Sequence, residues 1–318
     1  MRILLVKTSS LGDVIHNLPV LSDLRQVFPE AAIDWCVEEG FADIPRLHPA
    51  VDQVIPVAIR RWRNTLGSLA TWREVRNFRA RIRARSYDAV LDTQGLLKSA
   101  LIARQAQGRR YGYAAESARE PVAARFYEET FVIPRNAHAV ERNRWLAAAA
   151  FDYPVDLALD YGILAPAIDD ACRSPGRQVI LLTATSRDDK LWDEANWCVL
   201  GRALLERGLT PVLPAGNALE RQRAERIAAA LPGGAIVPPP LSLAQVAALI
   251  ARADLAVGVD TGLAHLAAAL RVPVIALYVA TDPALTGVYG TGFVRNLGRC
   301  DAPPSTAEVL GVAEQALR

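Results

Sequence analysis

The sequence predicts an α/β protein with two domains, each built on a parallel sheet. In the second half of the chain, short apolar runs alternate with stretches of helical spacing from residue 179 to residue 278. Near the beginning, the apolar run at residues 3–6 leads through a polar, Gly-containing loop into helical spacing, and residues 255–270 repeat that order. Strands that alternate with helices form right-handed βαβ units, so the sequence favours doubly wound parallel sheets.

Length and proline content indicate where the domains meet. A chain of 318 residues is long for one domain, and the usual domain size favours two. Residues 152–177 contain three prolines and little periodicity, which is typical of a linker. We therefore expect an N-terminal domain over residues 1–160 and a C-terminal domain over residues 161–318.

In the first half, apolar runs and helical spacing mark the elements in turn. The first strand is followed by a helix in which Val14, Leu18, Leu21 and Phe28 recur at helical intervals. Residues 109–138 are rich in Arg, Glu and Tyr, and we expect them to be irregular. The other elements expected here are strands at residues 33–37, 54–57 and 88–92 and a helix from residue 96.

The second half alternates more cleanly, because several helices carry start or stop signals. Ser242 with Gln245 three residues later is a capping-box signature for a helix that runs to Arg252. Gly208 follows the expected helix at residues 196–207. The expected strands are residues 179–183, 210–213, 235–237, 255–259 and 272–278, and the other expected helices are residues 218–231, 263–270 and 306–317.

Composition and end signals exclude several classes of protein. No run of about eighteen apolar residues occurs, so no membrane-spanning helix is predicted. The chain enters its first strand without an export signal. The four cysteines, at positions 36, 172, 198 and 300, are far apart and show no metal-ligand spacing with the four histidines. We expect reduced thiols in a cytoplasmic protein with no metal site and no cofactor.

The loop at residues 7–13, KTSSLGD, is the first candidate for chemistry. Ser9, Ser10 and Gly12 offer hydroxyl groups and close backbone approach, and Asp13 lies where the loop turns into the helix. The Asp13 carboxylate could cap that helix. It could also serve as a base, because chemistry in open α/β sheets gathers beyond the carboxyl ends of the strands. The two roles can coexist.

Four motifs occur in an order that resembles one enzyme family. They are KTSSLGD at residues 7–13, TSRDDK at 185–190, DTGLAH at 260–265 and TDP at 281–283. Together they resemble the ADP-heptose:lipopolysaccharide heptosyltransferases of glycosyltransferase family 9, over nearly the whole chain. Within that family the likeness is greatest to the members that add the first heptose.

The resemblance implies a fold and a reaction. The fold would be the GT-B architecture, with two Rossmann-like domains facing each other across a cleft and the final helix, about residues 306–317, packing back on the first domain. The reaction would be an inverting, metal-independent transfer of L-glycero-D-manno-heptose from ADP-heptose to a Kdo residue of Kdo-lipid A. An alternative within the family is the enzyme that adds the next heptose. A lipid-linked acceptor implies peripheral contact with the cytoplasmic face of the inner membrane, which basic residues would favour.

The same resemblance implies roles for individual residues. Asp13 and Lys190 would be catalytic, as the base for the acceptor hydroxyl and as the cation beside the leaving diphosphate. Backbone N–H groups at Thr261 and Gly262 begin a helix, a position that favours a diphosphate. The implied donor-binding residues, several of which could equally shape their own turns, are Ser9, Ser10, Thr185, Ser186, Glu220, Asp260, Thr261, Gly262, His265, Thr281 and Asp282.

A basic segment supplies candidates for binding an anionic acceptor. Residues 60–85 contain nine arginines and one acid, Glu74. The arginines at 60, 61 and 63 are expected to lie ahead of a helix and beyond a strand end, whereas those at 79–85 are interpreted as a solvated helix face. Guanidinium groups match carboxylates and phosphates bidentately. The expected acceptor-binding residues are Arg60, Arg61, Arg63, Lys98, Arg119 and Arg142, although Lys98 could simply be an exposed lysine.

Other interpretations fit the sequence less well. A Rossmann dehydrogenase should show G-x-G-x-x-G after a strand, and none is found. A non-catalytic nucleotide-sugar-binding protein would ordinarily carry an export signal and needs no base at Asp13. No recognition motif supports nucleic acid as a partner of the basic segment. Asp188 and Asp189 could suggest a metal dyad, but we interpret them as loop or ion-pair residues.

Overall fold

The computed structural model describes residues 1–167 and 176–318. The chain divides into two compact units, Met1–Ile163 and Leu164–Arg318. Cys36, Cys198 and Cys300 are free thiols. Cys172 and the last proline of the expected linker lie outside the described residues.

The first unit is built on a six-stranded parallel sheet. Its strands are β1 (Arg2–Val6), β2 (Ala32–Glu38), β3 (Val51–Val57), β4 (Ser86–Asp92), β5 (Gln107–Tyr113) and β6 (Glu129–Phe131). They lie in the order β3-β2-β1-β4-β5-β6. The last four residues of β1 are completely buried, as expected for a central strand of a sheet covered on both faces.

Seven α-helices accompany this sheet in the described part of the first unit. They are α1 (Leu11–Ile15), α2 (Leu18–Val27), α3 (Asp43–Arg46), α4 (Ile59–Asn64), α5 (Leu69–Arg83), α6 (Leu97–Ala103) and α7 (Ala139–Phe151). The single helix expected after β1 is therefore two helices, because Pro19 lies in the first turn of α2. Proline lacks a backbone N–H group and suits the start of a new helix better than the continuation of an old one.

Residues 107–131 also differ from the irregular segment that the sequence analysis expects. β5 pairs in parallel with β4, and β6 pairs in parallel with β5. Both strands are rich in polar residues, and the Tyr111 and Phe131 rings stack with centroids 6.4 Å apart. Strands without an apolar run carry no hydrophobic pattern, so pairing with a neighbouring strand, β4 for β5 and β5 for β6, decides their conformation.

The second unit is built on a five-stranded parallel sheet. Its strands are β7 (Arg177–Leu182), β8 (Leu209–Val212), β9 (Leu255–Val259), β10 (Val274–Tyr278) and β11 (Val294–Gly298), in the order β11-β10-β9-β7-β8. β11 is not anticipated by the sequence analysis. The strand expected at residues 235–237 contributes only an isolated bridge between Val212 and Ile236.

The helices of the second unit agree with the expected ones within a few residues. They are α8 (Glu194–Glu206), α9 (Ala218–Ala229), α10 (Leu243–Ile250), α11 (Gly262–Ala269) and α12 (Thr306–Ala316). The capping box of α10 is confirmed, since Gln245 N donates to Ser242 Oγ and Ser242 N donates to Gln245 Oε1. Across the described residues, no helix is both long enough and apolar enough to cross a membrane.

The last helix packs within the second unit. Its buried Val309 and Ala313 share one core with Trp197 and Leu204 of α8. The contact with the first domain that the family resemblance implies stays a prediction. Val309 and Ala313 lie four residues apart and are therefore neighbours on one face of the helix. That apolar face packs in the core of the second unit.

Each sheet has one place where the chain order of its strands reverses. In the first unit the reversal lies between β1 and β4, and in the second it lies between β7 and β9. Loops that follow the strands at such a point diverge and leave a crevice at the carboxyl ends. The loops after β1 and β4, and those after β7 and β9, are therefore the places to look for function.

Candidate active site

In the first unit, the loop after β1 is held by the loop after β4. Thr8 N and Thr8 Oγ1 both donate to Gln94 Oε1 at 2.7 Å, and Gln94 Nε2 donates to Ser9 O at 2.9 Å. Lys98, in the first turn of α6, donates to Ser9 Oγ at 2.9 Å. Gln94 is buried, so these bonds form away from solvent and fix the loop that carries Asp13.

Asp13 lies in the first turn of α1, and its side chain is 21% exposed. Its Oδ2 accepts hydrogen bonds from Ser10 N at 2.9 Å and Ser10 Oγ at 3.0 Å, and lies 3.5 Å from Arg119 Nη1. Burial alone would raise the pKa of this carboxyl, but the charge of Lys7, the Ser10 hydrogen bonds and Arg119 together lower the pKa. Asp13 is therefore ionised at neutral pH while it caps its helix.

Lys7 is a buried cation that the sequence analysis does not select. It follows β1 directly, and its Nζ donates to Thr93 O at 2.9 Å and to Asn143 Oδ1 at 3.4 Å. Burial lowers the pKa of Lys7 to about 8, although the charge of Asp13 acts in the opposite direction. The available sequence signal is a lysine at the end of a fully apolar strand, since burying an ammonium group is costly without partners.

Arg142 belongs to the same neighbourhood as Lys7. Its Nη2 donates to Ser117 O at 2.7 Å, and its guanidinium lies 5.1 Å from the centre of the Tyr113 ring. The Tyr113 hydroxyl donates to Asn143 Oδ1 at 3.1 Å, which is the atom that Lys7 also contacts. Arg119 and Arg142, both expected to bind an anion, thus lie near the cation that adjoins Asp13.

The arginines at 60, 61 and 63 lie in the short helix α4 instead of ahead of a helix. The reason is local, since α4 is a separate helix that ends before α5 begins. Arg61 forms ion pairs with Glu39 at 2.9 Å and with Glu74 at 2.8 Å, so its charge is already matched within the protein. Arg63 is exposed.

Arg60 is connected electrostatically to the Ser9 loop. The buried Glu38 carboxylate accepts a hydrogen bond from Arg60 N at 2.9 Å. Burial raises the pKa of Glu38, while Arg60 and Lys98 act to lower it. Because Lys98 also donates to Ser9, the basic segment and the loop after β1 share one charged neighbourhood.

In the second unit, the loops after β7, β9 and β10 meet at Asp260. Lys190 Nζ donates to Asp260 Oδ2 at 2.6 Å, and Thr281 Oγ1 donates to the same oxygen at 2.8 Å. Thr185 Oγ1 donates to Asp260 O at 2.9 Å. The side chains of Lys190 and Asp260 are only 16% and 18% exposed, so this ion pair is partly desolvated. We call these four residues the Asp260 cluster.

The helix α11 begins beside this cluster. Thr261 is its N-cap residue and Gly262 its first helical residue. The N–H groups at a helix start lack intrahelical partners, and together with the helix dipole they favour an anion. His265 lies one turn into the helix and is buried. Asp282 Oδ1 accepts from Ala284 N at 2.9 Å, so Asp282 shapes its own turn.

Glu220 and Ser186 are not joined to the Asp260 cluster by a hydrogen bond among the described residues. Glu220 Oε2 accepts from Gly216 N, and Glu220 Oε1 accepts from Asn217 Nδ2, each at 2.7 Å. Asn217 Oδ1 in turn accepts from Glu220 N at 3.0 Å, which closes the turn before α9. Ser186 is exposed.

The remaining acids of the TSRDDK motif are loop residues. Asp188 and Asp189 form a short 3-10 helix with Lys190, and Asp189 pairs with the exposed Arg187. Residues 1–167 and 176–318 contain no group of three or more His, Cys, Asp and Glu side chains that could hold a metal ion.

A cavity of about 350 Å³ lies in the second unit, and its wall includes Leu191, next to Lys190, and Val279 after β10. The Arg223 side chain also lines it and pairs with Glu194 at 3.1 Å. Sequence reasoning misses Arg223, because α9 has the pattern of an ordinary charged helix. Val279 directly follows β10, and Arg223 Nε donates to Thr183 O, just after β7, at 3.2 Å, so the cavity adjoins the carboxyl ends of these strands.

Comparison with known proteins gives three close likenesses. The chain is 49% identical over 293 residues to lipopolysaccharide heptosyltransferase 1 of Pseudomonas aeruginosa, covering 91% of this chain and 82% of that protein. The structure of E. coli heptosyltransferase WaaC with ADP matches with a TM-score of 0.92 and 42% identity, covering 99% of this chain and all of that one. WaaC with ADP-2-deoxy-2-fluoro heptose matches with a TM-score of 0.86 and 41% identity, covering 99% and 98%.

These likenesses agree with the fold seen here. The prediction of two parallel-sheet α/β domains of the GT-B type is confirmed. In addition, the family model described as glycosyltransferase family 9 (heptosyltransferase) matches residues 75–305, which is well over half of the chain. The chain therefore belongs to glycosyltransferase family 9, the heptosyltransferases.

Proposed function

We propose that this heptosyltransferase moves L-glycero-D-manno-heptose from ADP-heptose to a Kdo residue of Kdo-lipid A, and so adds the first heptose of the lipopolysaccharide inner core. The observation that carries the proposal is the 49% identity, over 91% of the chain, to a lipopolysaccharide heptosyltransferase 1. The ADP and ADP-2-deoxy-2-fluoro heptose named with the similar WaaC structures support an ADP-linked heptose as the donor.

Asp13 is the base in this proposal. The acceptor hydroxyl oxygen forms a bond to the anomeric carbon of heptose while its proton passes to the Asp13 carboxylate. The bond from that carbon to the diphosphate breaks on the opposite face, ADP leaves with the electron pair, and the anomeric configuration inverts. An ionised carboxylate with a lowered pKa is a weak base, so proton transfer would be completed as the new C–O bond forms.

The Asp260 cluster supports stabilisation of the leaving group without a metal ion. Lys190 is held by Asp260 in a partly desolvated place, where its charge can meet the charge that builds on the diphosphate. The N–H groups at Thr261 and Gly262, where α11 begins, can bind the same group. The other residues proposed to contact the donor are Ser9, Ser10, Thr185, Ser186, Glu220, Asp260, His265, Thr281 and Asp282.

The positive charges of the first unit support an anionic acceptor. We assign its carboxylates and phosphates to Arg60, Arg61, Arg63, Lys98, Arg119 and Arg142. Arg119 and Arg142 lie near Lys7 and Asp13, and Arg60 adjoins Lys98 through Glu38. Because the acceptor carries lipid chains, the protein would work in peripheral contact with the cytoplasmic face of the inner membrane.

The first test is ADP release from ADP-heptose and Kdo-lipid A in the presence of EDTA. Asp13→Ala and Asp13→Asn should each lower the rate by about two to four orders of magnitude, because a positioned base contributes that much. Affinity for ADP-heptose, measured by calorimetry, should survive. Asp43→Ala removes a comparable carboxylate from the first turn of α3 and should leave the rate near that of the parent.

Three outcomes would contradict parts of the proposal. Equal rates in the parent and both Asp13 variants would leave Asp13 as a helix cap only. A parent that stops releasing ADP when EDTA is added would require a metal ion. Faster turnover of an acceptor that already carries the first heptose would assign the chain to the next step of core synthesis.

A further inference from the structure

Three large apolar side chains are exposed together where α4 turns into α5. Leu66, Leu69 and Trp72 are 58%, 88% and 56% exposed. Trp72 Nε1 donates to Leu66 O at 2.8 Å, so the indole lies against the turn that carries Leu66. Leu69 and Trp72 lie three residues apart in α5 and are neighbours on one helix face. We call these three residues the apolar tip, because single exposed leucines are ordinary but a contiguous group is not.

The apolar tip does not belong to the core of the first unit. α5 buries Thr71, Phe78 and Ile82, and Phe78 packs edge-to-face against Trp62 with ring centroids 5.8 Å apart. At helical periodicity these buried positions lie on the side opposite Leu69. Leu69 therefore points away from the packed face of its own helix.

Arginines follow the apolar tip along the outer side of α5. Arg73 lies four residues after Leu69, and Arg76 lies four residues after Trp72, so both are neighbours of tip residues on the helix surface. Arg73 and Arg76 are exposed, and in the described part of the chain Arg76 forms no ion pair with a carboxylate.

The only acid of residues 60–85, Glu74, has Trp62 and Arg61 as its direct partners, although the charge of Arg73 also acts on it. Glu74 accepts from Trp62 Nε1 at 2.8 Å and pairs with Arg61 at 2.8 Å. A helix that exposes Leu and Trp beside the exposed arginines Arg73 and Arg76 has the composition of a segment that lies in a membrane interface. Tryptophan is well suited to that position because it is apolar with one polar N–H group.

We propose that the apolar tip and the adjoining outer face of α5 form a docking surface for an anionic phospholipid bilayer. Leu66, Leu69 and Trp72 enter the region between headgroups and acyl chains, and Arg73 and Arg76 bind lipid phosphates. Charge selects this occupant over a second copy of the chain, because two copies of this surface face to face would oppose arginine to arginine. The inference rests on the proposed function only in that a lipid-linked acceptor gives the protein a reason to be at a membrane.

The test is flotation of the purified protein with vesicles of phosphatidylcholine alone or of phosphatidylcholine mixed with phosphatidylglycerol. The parent should float with the anionic vesicles, and less so as salt is added. Leu66→Gln/Leu69→Gln should weaken that binding by about tenfold, through loss of buried apolar area. Arg76→Gln should weaken it by about fivefold at low salt.

Matched controls lie elsewhere on the surface. Val132→Gln/Leu164→Gln removes two apolar side chains that are 64% and 67% exposed, and Arg252→Gln removes another exposed arginine. Both controls should float as the parent does. Because every substituted side chain is exposed, the melting temperatures should all agree with that of the parent, so a change in flotation reports docking and not unfolding.

Turnover of a water-soluble, acyl-free acceptor separates this proposal from the proposed function. Leu66→Gln/Leu69→Gln should show the about tenfold weaker vesicle binding and keep parental turnover in solution. The expected flotation pattern in a protein that never releases ADP would support docking and overturn the transferase assignment. Unchanged vesicle binding in the double variant would overturn the docking surface. A fall in self-association of the double variant, measured by sedimentation, with intact vesicle binding would also overturn the docking surface. The apolar tip would then be an interface between copies of the chain.

Discussion

The charge on Asp13 is set by its neighbours rather than by its own exposure. Burial opposes ionisation of the carboxyl, and Lys7, Ser10 and Arg119 together reverse that effect and lower the pKa of Asp13. Of these, the charge of Lys7 is the largest opposing influence. The ionised state that a base requires thus depends on Lys7, the buried first residue of the same loop.

Removing Lys7 should therefore move the pH dependence of catalysis. Activity requires ionised Asp13, so kcat/KM falls as the pH drops through the pKa of that carboxyl. In Lys7→Met, the charge that lowers the pKa of Asp13 most is gone, while burial still raises that pKa. The pKa of Asp13 therefore rises, and the acidic limb of the kcat/KM profile should move to higher pH. Arg207→Met, which removes an exposed cation from the second unit, should leave the limb in place. An unmoved limb in Lys7→Met would show that Lys7 does not act on Asp13.

Lys7 should also leave a mark on stability at alkaline pH. Its pKa of about 8 in the folded protein lies below the ordinary 10.5, so between these values the unfolded chain binds a proton that the folded protein has released. Stability then rises with pH across this window, and below pH 8 the cost of burying the charged ammonium remains in full. Relative to Lys7→Met, the free energy of unfolding of the parent should rise by at most about 3 kcal/mol. Urea unfolding of both proteins at the two ends of this pH window measures the difference in their free energies of unfolding. A difference that does not change with pH would refute the lowered pKa of Lys7.

Lys190 offers a separate test of the Asp260 cluster. Lys190→Ala should lower kcat by about two to three orders of magnitude, because a positioned charge on a departing diphosphate contributes that much. Lys190→Arg keeps the charge in a different geometry and should recover part of the loss. Arg187→Ala removes an exposed cation from the same loop, and steady-state assays should find its kcat within about twofold of the parent. A similar kcat in Lys190→Ala would remove Lys190 from the mechanism.

Single residues were predictable where a motif and a strand end coincided. Asp13, Lys190 and Asp260 each follow a recognisable apolar strand, and the structure ties the last two together at 2.6 Å. Lys7, Gln94 and Arg223 have no such mark, because their partners lie far away in the chain. Their positions follow from which strands are neighbours, which local sequence does not state.

Among the secondary-structure elements, the apolar strands were the predictable ones. β1, β7 and β9 have uninterrupted apolar runs and were found in place. β5, β6 and β11 were missed, because their polar residues leave no hydrophobic period to recognise. Their conformation comes from pairing with a strand that is already in the sheet.

Two glycines in regular elements should respond in opposite ways to alanine. In β9, a Cβ at Gly258 would lie 2.8 Å from Leu182 Cβ in the neighbouring strand, so Gly258→Ala should cost about 1–3 kcal/mol of stability. In α12, a Cβ at Gly311 would meet nothing within 4 Å, so Gly311→Ala should gain up to about 1 kcal/mol through helix propensity. Thermal unfolding of both variants decides the matter. Equal shifts of the melting temperature would contradict the close packing of β7 on β9.

At the scale of the whole molecule, each unit has a sheet and a core of its own. ADP lacks the sugar and should bind mainly to the second unit, where the Asp260 cluster and the start of α11 lie. Hydrogen exchange in the presence of saturating ADP should therefore slow most in the loops after β7 and β9. When the ADP concentration is a hundred times Kd, the added protection should be at most about 2.7 kcal/mol. ADP-free protein is the reference, and equal protection of residues 1–163 would refute a donor site in the second unit.

The reversal point of each sheet has a consequence for how such enzymes diversify. The residues assigned to the acceptor lie on loops and helices of one sheet, and most of those assigned to the donor lie on loops of the other. Changes in the length or charge of the loops assigned to the acceptor need not alter the packing of the strands in the sheet that carries the loops assigned to the donor. A lineage can thus change which molecule receives the sugar while it inherits the machinery for the nucleotide unaltered.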